Sequence, residues 1–217
     1  NHFVKWRALP NPEDDAKRAG NANRGGTSHH HRRNRFSDGA AGWFQYATPD
    51  MSYIVSNVTD GVLQFYRVPP PPGTTNQAVV FQDTGMALAA GAPVTAQFDL
   101  GNSSSVRKRI TVLLLEHDFS DSTVCTFWLP ANSPLQTYQM RTHSIRAWTS
   151  TAIYFYATTA GSDGGYYQID NVSVAPNPGG PTTATECIDP MAPAAPGGAD
   201  SANLLTNGDF TSGVSPW

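Results

Sequence analysis

The sequence predicts an all-β domain, a sandwich or a closed barrel, on three observations. Charged residues make up only 14% of the 217 residues, well under the ~25% of an average soluble domain, while glycine, proline and threonine are frequent. Short runs with two-residue alternation recur between Phe36 and Val174, the period of a strand with one buried face. No segment longer than two turns carries the 3.6-residue period of an amphipathic helix.

The runs can be taken in order. Val94-Thr-Ala-Gln-Phe-Asp-Leu100 places Val94, Ala96, Phe98 and Leu100 on one face. Ile110-Thr-Val-Leu-Leu-Leu-Glu116 is almost continuously apolar, which suits a central strand covered on both sides. Val124-Cys-Thr-Phe-Trp-Leu129 turns Cys125, Phe127 and Leu129 inward and Trp128 outward. Ile153-Tyr-Phe-Tyr-Ala157 turns Ile153, Phe155 and Ala157 inward and Tyr154 and Tyr156 outward. A last strand spans 166–174. Turn signals separate the runs: 69–73, 91–93, 101–105, 132–134 and 161–165, all rich in Gly, Pro, Asn or Ser.

The two ends differ from this middle. Residues 1–33 read as an irregular basic arm. Residues 1–35 hold eight Lys/Arg against three Asp/Glu, and the remainder six against fourteen. Such an arm is either a solvated tail or a contact for acidic surfaces; the run His29–His31, followed by two arginines, reads as a natural polar loop. Residues 175–202, with Ala175-Pro-Asn-Pro-Gly-Gly-Pro181 and Ala192-Pro-Ala-Ala-Pro-Gly-Gly198, read as a semi-stiff linker. No stretch reaches the ~18–20 apolar residues of a membrane-spanning helix.

An internal repeat organises the rest. Phe36-Ser-Asp-Gly-Ala-Ala-Gly-Trp43 and Phe210-Thr-Ser-Gly-Val-Ser-Pro-Trp217 share Phe-x-x-Gly-x-x-x-Trp, and repeats of this kind signal tandem modules. Asn203 to Trp217 resembles the opening strand of family 4 and 9 type carbohydrate-binding modules, and Gly165-Tyr-Tyr-Gln-Ile-Asp-Asn-Val-Ser-Val174 resembles their closing strand. The resemblance implies a jelly-roll β-sandwich over 34–174 and the first strand of a second, truncated copy at 203–217, so a longer tandem polypeptide is expected. It also implies a structural Ca2+, with Asp170 in the matching closing-strand position and Asp38 in the opening segment. Counted from the asparagines Asn34 and Asn207 that precede the two copies, Arg35 stands in place of Gly208, a departure from the pattern at the first site.

Sugar-binding modules of this type present flat aromatic faces. Trp128, Tyr154 and Tyr156 are the outward candidates for glycan or partner contact, and Tyr138 and Trp148 are further ones. Glu116-His117-Asp118 is the densest acid/base cluster, yet adjacent strand residues face opposite sides, which argues against convergence on a substrate. No phosphate loop, zinc spacing or nucleophile elbow is present. Asn57, Asn102 and Asn171 begin glycosylation-like triplets. Cys125 and Cys187 are compatible with a bridge or with two free thiols.

The expectation is therefore a non-catalytic, extracellular or cell-surface module. Its expected partner is a polysaccharide or cell-surface glycan, with no nucleic acid and no membrane span. The alternative is a structural subunit of a filament, sheath or surface layer, in which 203–217 pairs with a further copy of the chain or with a neighbouring module.

Overall fold

The computed structural model describes residues 40–161 and 164–192. Within them the elements are β1 (Phe44–Thr48), a 3-10 turn (Met51–Tyr53), β2 (Ile54–Thr59), β3 (Val62–Arg67), β4 (Gln77–Leu88) and β5 (Pro93–Asn102). β6 (Lys108–Glu116), β7 (Ser122–Leu129), β8 (Ser133–His143), β9 (Trp148–Ala157), β10 (Tyr167–Pro176) and β11 (Glu186–Ile188) follow. They form a five-stranded sheet, β1-β4-β9-β6-β7, and a six-stranded sheet, β11-β8-β5-β10-β3-β2. The named strand pairs are antiparallel. From β7 to β10 the chain alternates between sheets at every step, and the fold is a jelly-roll β-sandwich.

Two-residue alternation is what makes this possible. Val94, Ala96, Phe98 and Leu100 of β5 are buried, as are Cys125, Phe127 and Leu129 of β7 and Ile153, Phe155 and Ala157 of β9. Their side chains meet between the sheets. Phe98 lies edge-on to Phe127 (5.9 Å) and Phe155 (5.3 Å), and Phe127 edge-on to Tyr138 (5.0 Å), the geometry that aromatic quadrupoles favour. Trp43, the last residue of the first repeat motif, packs half-buried against this core, 6.0 Å from Phe155.

The stretch expected to be a linker differs from that expectation. β10 runs on to Pro176, and β11 adds a three-residue edge to β8, with Cys187 opposite Met140. Asn177 Nδ2 donates to Thr95 Oγ1 (2.9 Å) and ties the intervening segment to β5. Its proline and glycine content rules out a long strand but not a short edge one. A Cys125–Cys187 disulfide holds it in place. β7 and β11 are edge strands of opposite sheets, so the bridge stitches one side of the sandwich closed. The basic arm 1–33, Asp38 and the segment 203–217 lie outside the described residues.

Candidate functional site

The outer face of the five-stranded sheet is unlike an ordinary solvated sheet surface. In register, Phe44 lies beside Phe81, Phe81 beside Tyr154, Tyr154 beside Leu113, and Leu113 beside Val124. One apolar row thus crosses all five strands. With strands ~4.8 Å apart, it spans roughly 19 Å. Phe44 is 60% exposed at one end and Val124 50% at the other. The rings stack in sequence: Phe44 on Phe81 (5.7 Å) and Phe81 on Tyr154 (4.6 Å, nearly parallel). Phe119, in the turn between β6 and β7, sets its edge against Tyr154 (5.3 Å).

A second row, one step along the strands, is mixed: Tyr46, Val79, Tyr156, Thr111 and Thr126. Thr111 Oγ1 is hydrogen-bonded to Thr126 Oγ1 (3.2 Å) and Thr158 Oγ1 (2.9 Å), a hydroxyl line from β7 across β6 to the residue that follows β9. A third row holds Arg109 beside Trp128.

The sequence candidates fall in different places. Trp128 is on this face and 43% exposed. The guanidinium of Arg107 lies 4.3 Å from its ring centre and that of Arg109 5.5 Å, so its surroundings are cationic. Tyr154 does point outward, but only 8% of it is exposed, because Phe81 and Phe119 pack against it. It forms the floor of the aromatic row. Burial, with Tyr156 and Asp83 nearby, pushes its phenol up to about 12. Tyr156, half-buried, is also shifted up, by burial and then Tyr46.

Two candidates are corrected. Tyr138 and Trp148 are each about 1% exposed and offer no face to a ligand. Tyr138 shares the inward side of β8 with Met140 and lies edge-on to Phe127; burial and then Asp189 push its phenol up to about 12. Trp148 Nε1 donates to Asp121 Oδ2 (2.7 Å), which also accepts from the backbone N–H of Ile145 (2.8 Å) and Arg146 (3.2 Å). Burial pushes the Asp121 carboxyl up. The hydrogen bonds from Trp148, Ile145 and Arg146, with the Arg146 charge, outweigh it and leave the group below the usual carboxylate range.

The acid/base cluster is used structurally. Glu116 is buried and accepts from Thr149 N (2.6 Å), Thr149 Oγ1 (2.7 Å) and His117 Nδ1 (2.6 Å), while Asp118 Oδ1 accepts from Ser120 N in its own turn. Asn102 is fully buried, its amide donating to Val106 O and Pro130 O (both 2.9 Å), which leaves no site for a glycan on it.

Asp170 lies on the six-stranded sheet, opposite Asp99. Its Oδ1 accepts from Asn171 N (2.8 Å), and Asn171 Nδ2 bridges to Asp99 Oδ2 (2.7 Å). A carboxylate here suits an oxygen-preferring cation. Among the described residues, no group of three or more His, Cys, Asp or Glu side chains is placed to hold a metal; calcium also takes backbone and amide carbonyl oxygens.

Phe44, Tyr46, Phe81, Phe119, Arg107 and Arg109 complete the face and escaped the sequence reading. A usable signal was present for three of them, Phe44, Tyr46 and Phe81. Phe44/Tyr46 and Val79/Phe81 repeat the two-residue spacing of Tyr154/Tyr156.

No protein-family model matches the chain, and no curated protein matches it. Solved structures do resemble it. One described as "CBM4 structure and function" is 17% identical, with TM-score 0.46, covering 65% of this chain and 99% of that one. One described as "BiXyn10A CBM1 APO" is 8% identical, with TM-score 0.50, covering 67% and 96%. The family 11 carbohydrate-binding module of a Clostridium thermocellum cellulosomal cellulase is 10% identical, with TM-score 0.44, covering 70% and 97%. The likeness at 0.50 carries the fold: the chain has the jelly-roll β-sandwich of carbohydrate-binding modules.

Proposed function

We propose that this chain is a non-catalytic, glycan-binding module of a secreted or cell-surface protein, with the outer face of the five-stranded sheet as its binding surface. The observation that carries the reading is the row Phe44–Phe81–Tyr154–Leu113–Val124 on the solvent side of the sheet. Outward positions of an antiparallel sheet are normally polar, and an apolar strip exposed at both ends, at Phe44 and Val124, marks an interaction site. Aromatic rings suit the C–H faces of sugar rings. The threonine and tyrosine hydroxyls of the adjoining row suit their hydroxyl groups. A polysaccharide lying across the strands would follow the row for several sugar units. The fold of the solved modules supports this reading, and the disulfide fits an oxidising, extracellular setting.

The test is affinity electrophoresis of the full chain through gels holding a panel of soluble polysaccharides. Retardation by at least one, reduced by Phe44→Ala without loss of fold, is expected. Migration unaffected by every polysaccharide would remove the reading. A structural calcium, with Asp170 as one ligand, is a separate proposal. A chelator should then lower Tm by several degrees and added calcium restore it; an unchanged Tm ends it. The filament reading rests on 203–217, outside the described residues, and no described feature favours it.

A further inference from the structure

We propose that the glycan is anionic, and that Arg107 and Arg109, held by Trp128, form the subsite for its carboxylate or sulfate groups. The inference rests on the binding face proposed above and adds the ligand's charge.

Both arginines are exposed. Both guanidinium carbons lie within 5.5 Å of the centre of one indole ring. Two like charges drawn to one ring repel each other, and the ring's π face offsets only part of that. The usual remedy is a neighbouring carboxylate. Among the described residues the ion pairs are His117–Glu116 and Arg141–Glu186, and neither involves this pair. One outward step along β6 and β7 stand the neutral hydroxyls of Thr111 and Thr126, and the charged group felt nearby is another cation: Arg67 is held below its usual range by burial and, in lesser part, by the charge of Arg109.

Among the described residues, Asp83 is an acid of this sheet face, and it lies far from the pair. Asp83 sits in register with Ala152, and Ala152 with Leu115, three outward steps along β6 from Arg109. At ~6.6 Å per two-residue step, that is roughly 20 Å, beyond the ~8 Å screening length of physiological salt. Its carboxylate already accepts from Ser150 Oγ and Gly85 N.

The arrangement also changes what Trp128 does. With Arg107 stacked on it, the indole is a mount for guanidinium groups, whose planar forks match carboxylate and sulfate oxygens. An acidic sugar chain lying over Tyr156 and the threonine line would bring an acidic substituent to this corner.

Three probes decide it: a polyuronate, a sulfated polysaccharide, and a neutral β-glucan. Binding to the full chain is measured by calorimetry at low and physiological salt. Acidic probes are expected to bind at least tenfold more tightly than the neutral one, and the Arg107→Gln/Arg109→Gln double variant should lose about tenfold or more of that affinity. Its circular dichroism and Tm should be unchanged, because both side chains are exposed. Arg109→Lys, which keeps charge but not the fork, should fall between.

The polyuronate and the sulfated probe together identify which anion the subsite takes. Equal affinity for acidic and neutral probes overturns the inference and leaves the glycan-binding reading intact. Acidic binding that survives the double variant also overturns it, because the basic arm would then be the anion contact. DNA of similar charge density bound as tightly as the acidic glycan, and lost in the same variant, overturns it as a glycan subsite. Failure to bind any polysaccharide overturns both readings.

Discussion

The two outer faces of the sandwich share one core and one strand period but carry opposite chemistry. The five-stranded face carries a row of aromatic and aliphatic side chains and, two rows away along the strands, an arginine pair beside Trp128. The six-stranded face presents Gln64, Gln97, Asp99, Thr137, Gln139, Gln168 and Asp170. Its polar groups largely satisfy one another. Thr137 Oγ1 donates to Asp99 Oδ1 (2.6 Å), Asn171 Nδ2 to Asp99 Oδ2 (2.7 Å), and Arg141 to Gln139 Oε1 (3.0 Å). Inward residues make the fold and can be exchanged for others of like size. Outward residues, one position away, decide what the module meets.

Neighbouring residues on one strand test that separation most severely. Phe155→Ala opens a cavity in the core and should cost about 3–5 kcal/mol of stability by denaturant titration. A cost under ~1 kcal/mol would mean that the two sheets can collapse onto each other. Next comes the stitch between the sheets. Replacing Cys125 and Cys187 by Ala frees a loop of 62 residues, a loss of about 4 kcal/mol in the chain-entropy model.

Alkaline pH separates core from face more finely. Tyr138 in the core and Tyr154 on the face are both pushed up to about 12 in the folded chain, against about 10 when unfolded. Their raised values mean that the folded state holds protons the unfolded state has released. Stability should therefore be full below pH 10 and fall as pH rises through about 12. Tyr138→Phe and Tyr154→Phe should each flatten part of that fall, seen as Tm against pH. Phe44→Ala should cost less than ~1 kcal/mol of stability, since the ring is mostly exposed, yet weaken polysaccharide binding severalfold. The smallest expected effect is Gln97→Ala on the other face: within ~0.5 kcal/mol and no change in binding. If Gln97→Ala weakened binding and Phe44→Ala did not, the functional faces would be exchanged.

Much of the fold was readable where alternation was clean. β5, β6, β7 and β9 lie where the runs at 94–100, 110–116, 124–129 and 153–157 put them. The site was readable only in direction. Tyr154 does turn outward, but what covers it comes from Phe81, more than 70 positions away, and Phe119. Trp148 is buried because its indole N–H finds Asp121 across the turn between β6 and β7, a long-range partnership that no local pattern announces. Tyr138 could have been placed: it shares a face with Met140, and a strand drawn over 133–143 would have turned it inward. β11 was hidden by its proline-rich surroundings, because its position depends on a covalent partner 62 residues away.

That covalent link has a consequence for the molecule in company. β11 is only three residues long, yet it occupies the hydrogen-bonding edge of β8, an 11-residue strand. A short capping strand is one way a sheet avoids recruiting strangers. Were the link cut, so brief a strand would have little to hold it, and β8 would offer its backbone to any extended segment nearby. The bridge therefore acts as a guard on solubility as well as a brace for the fold.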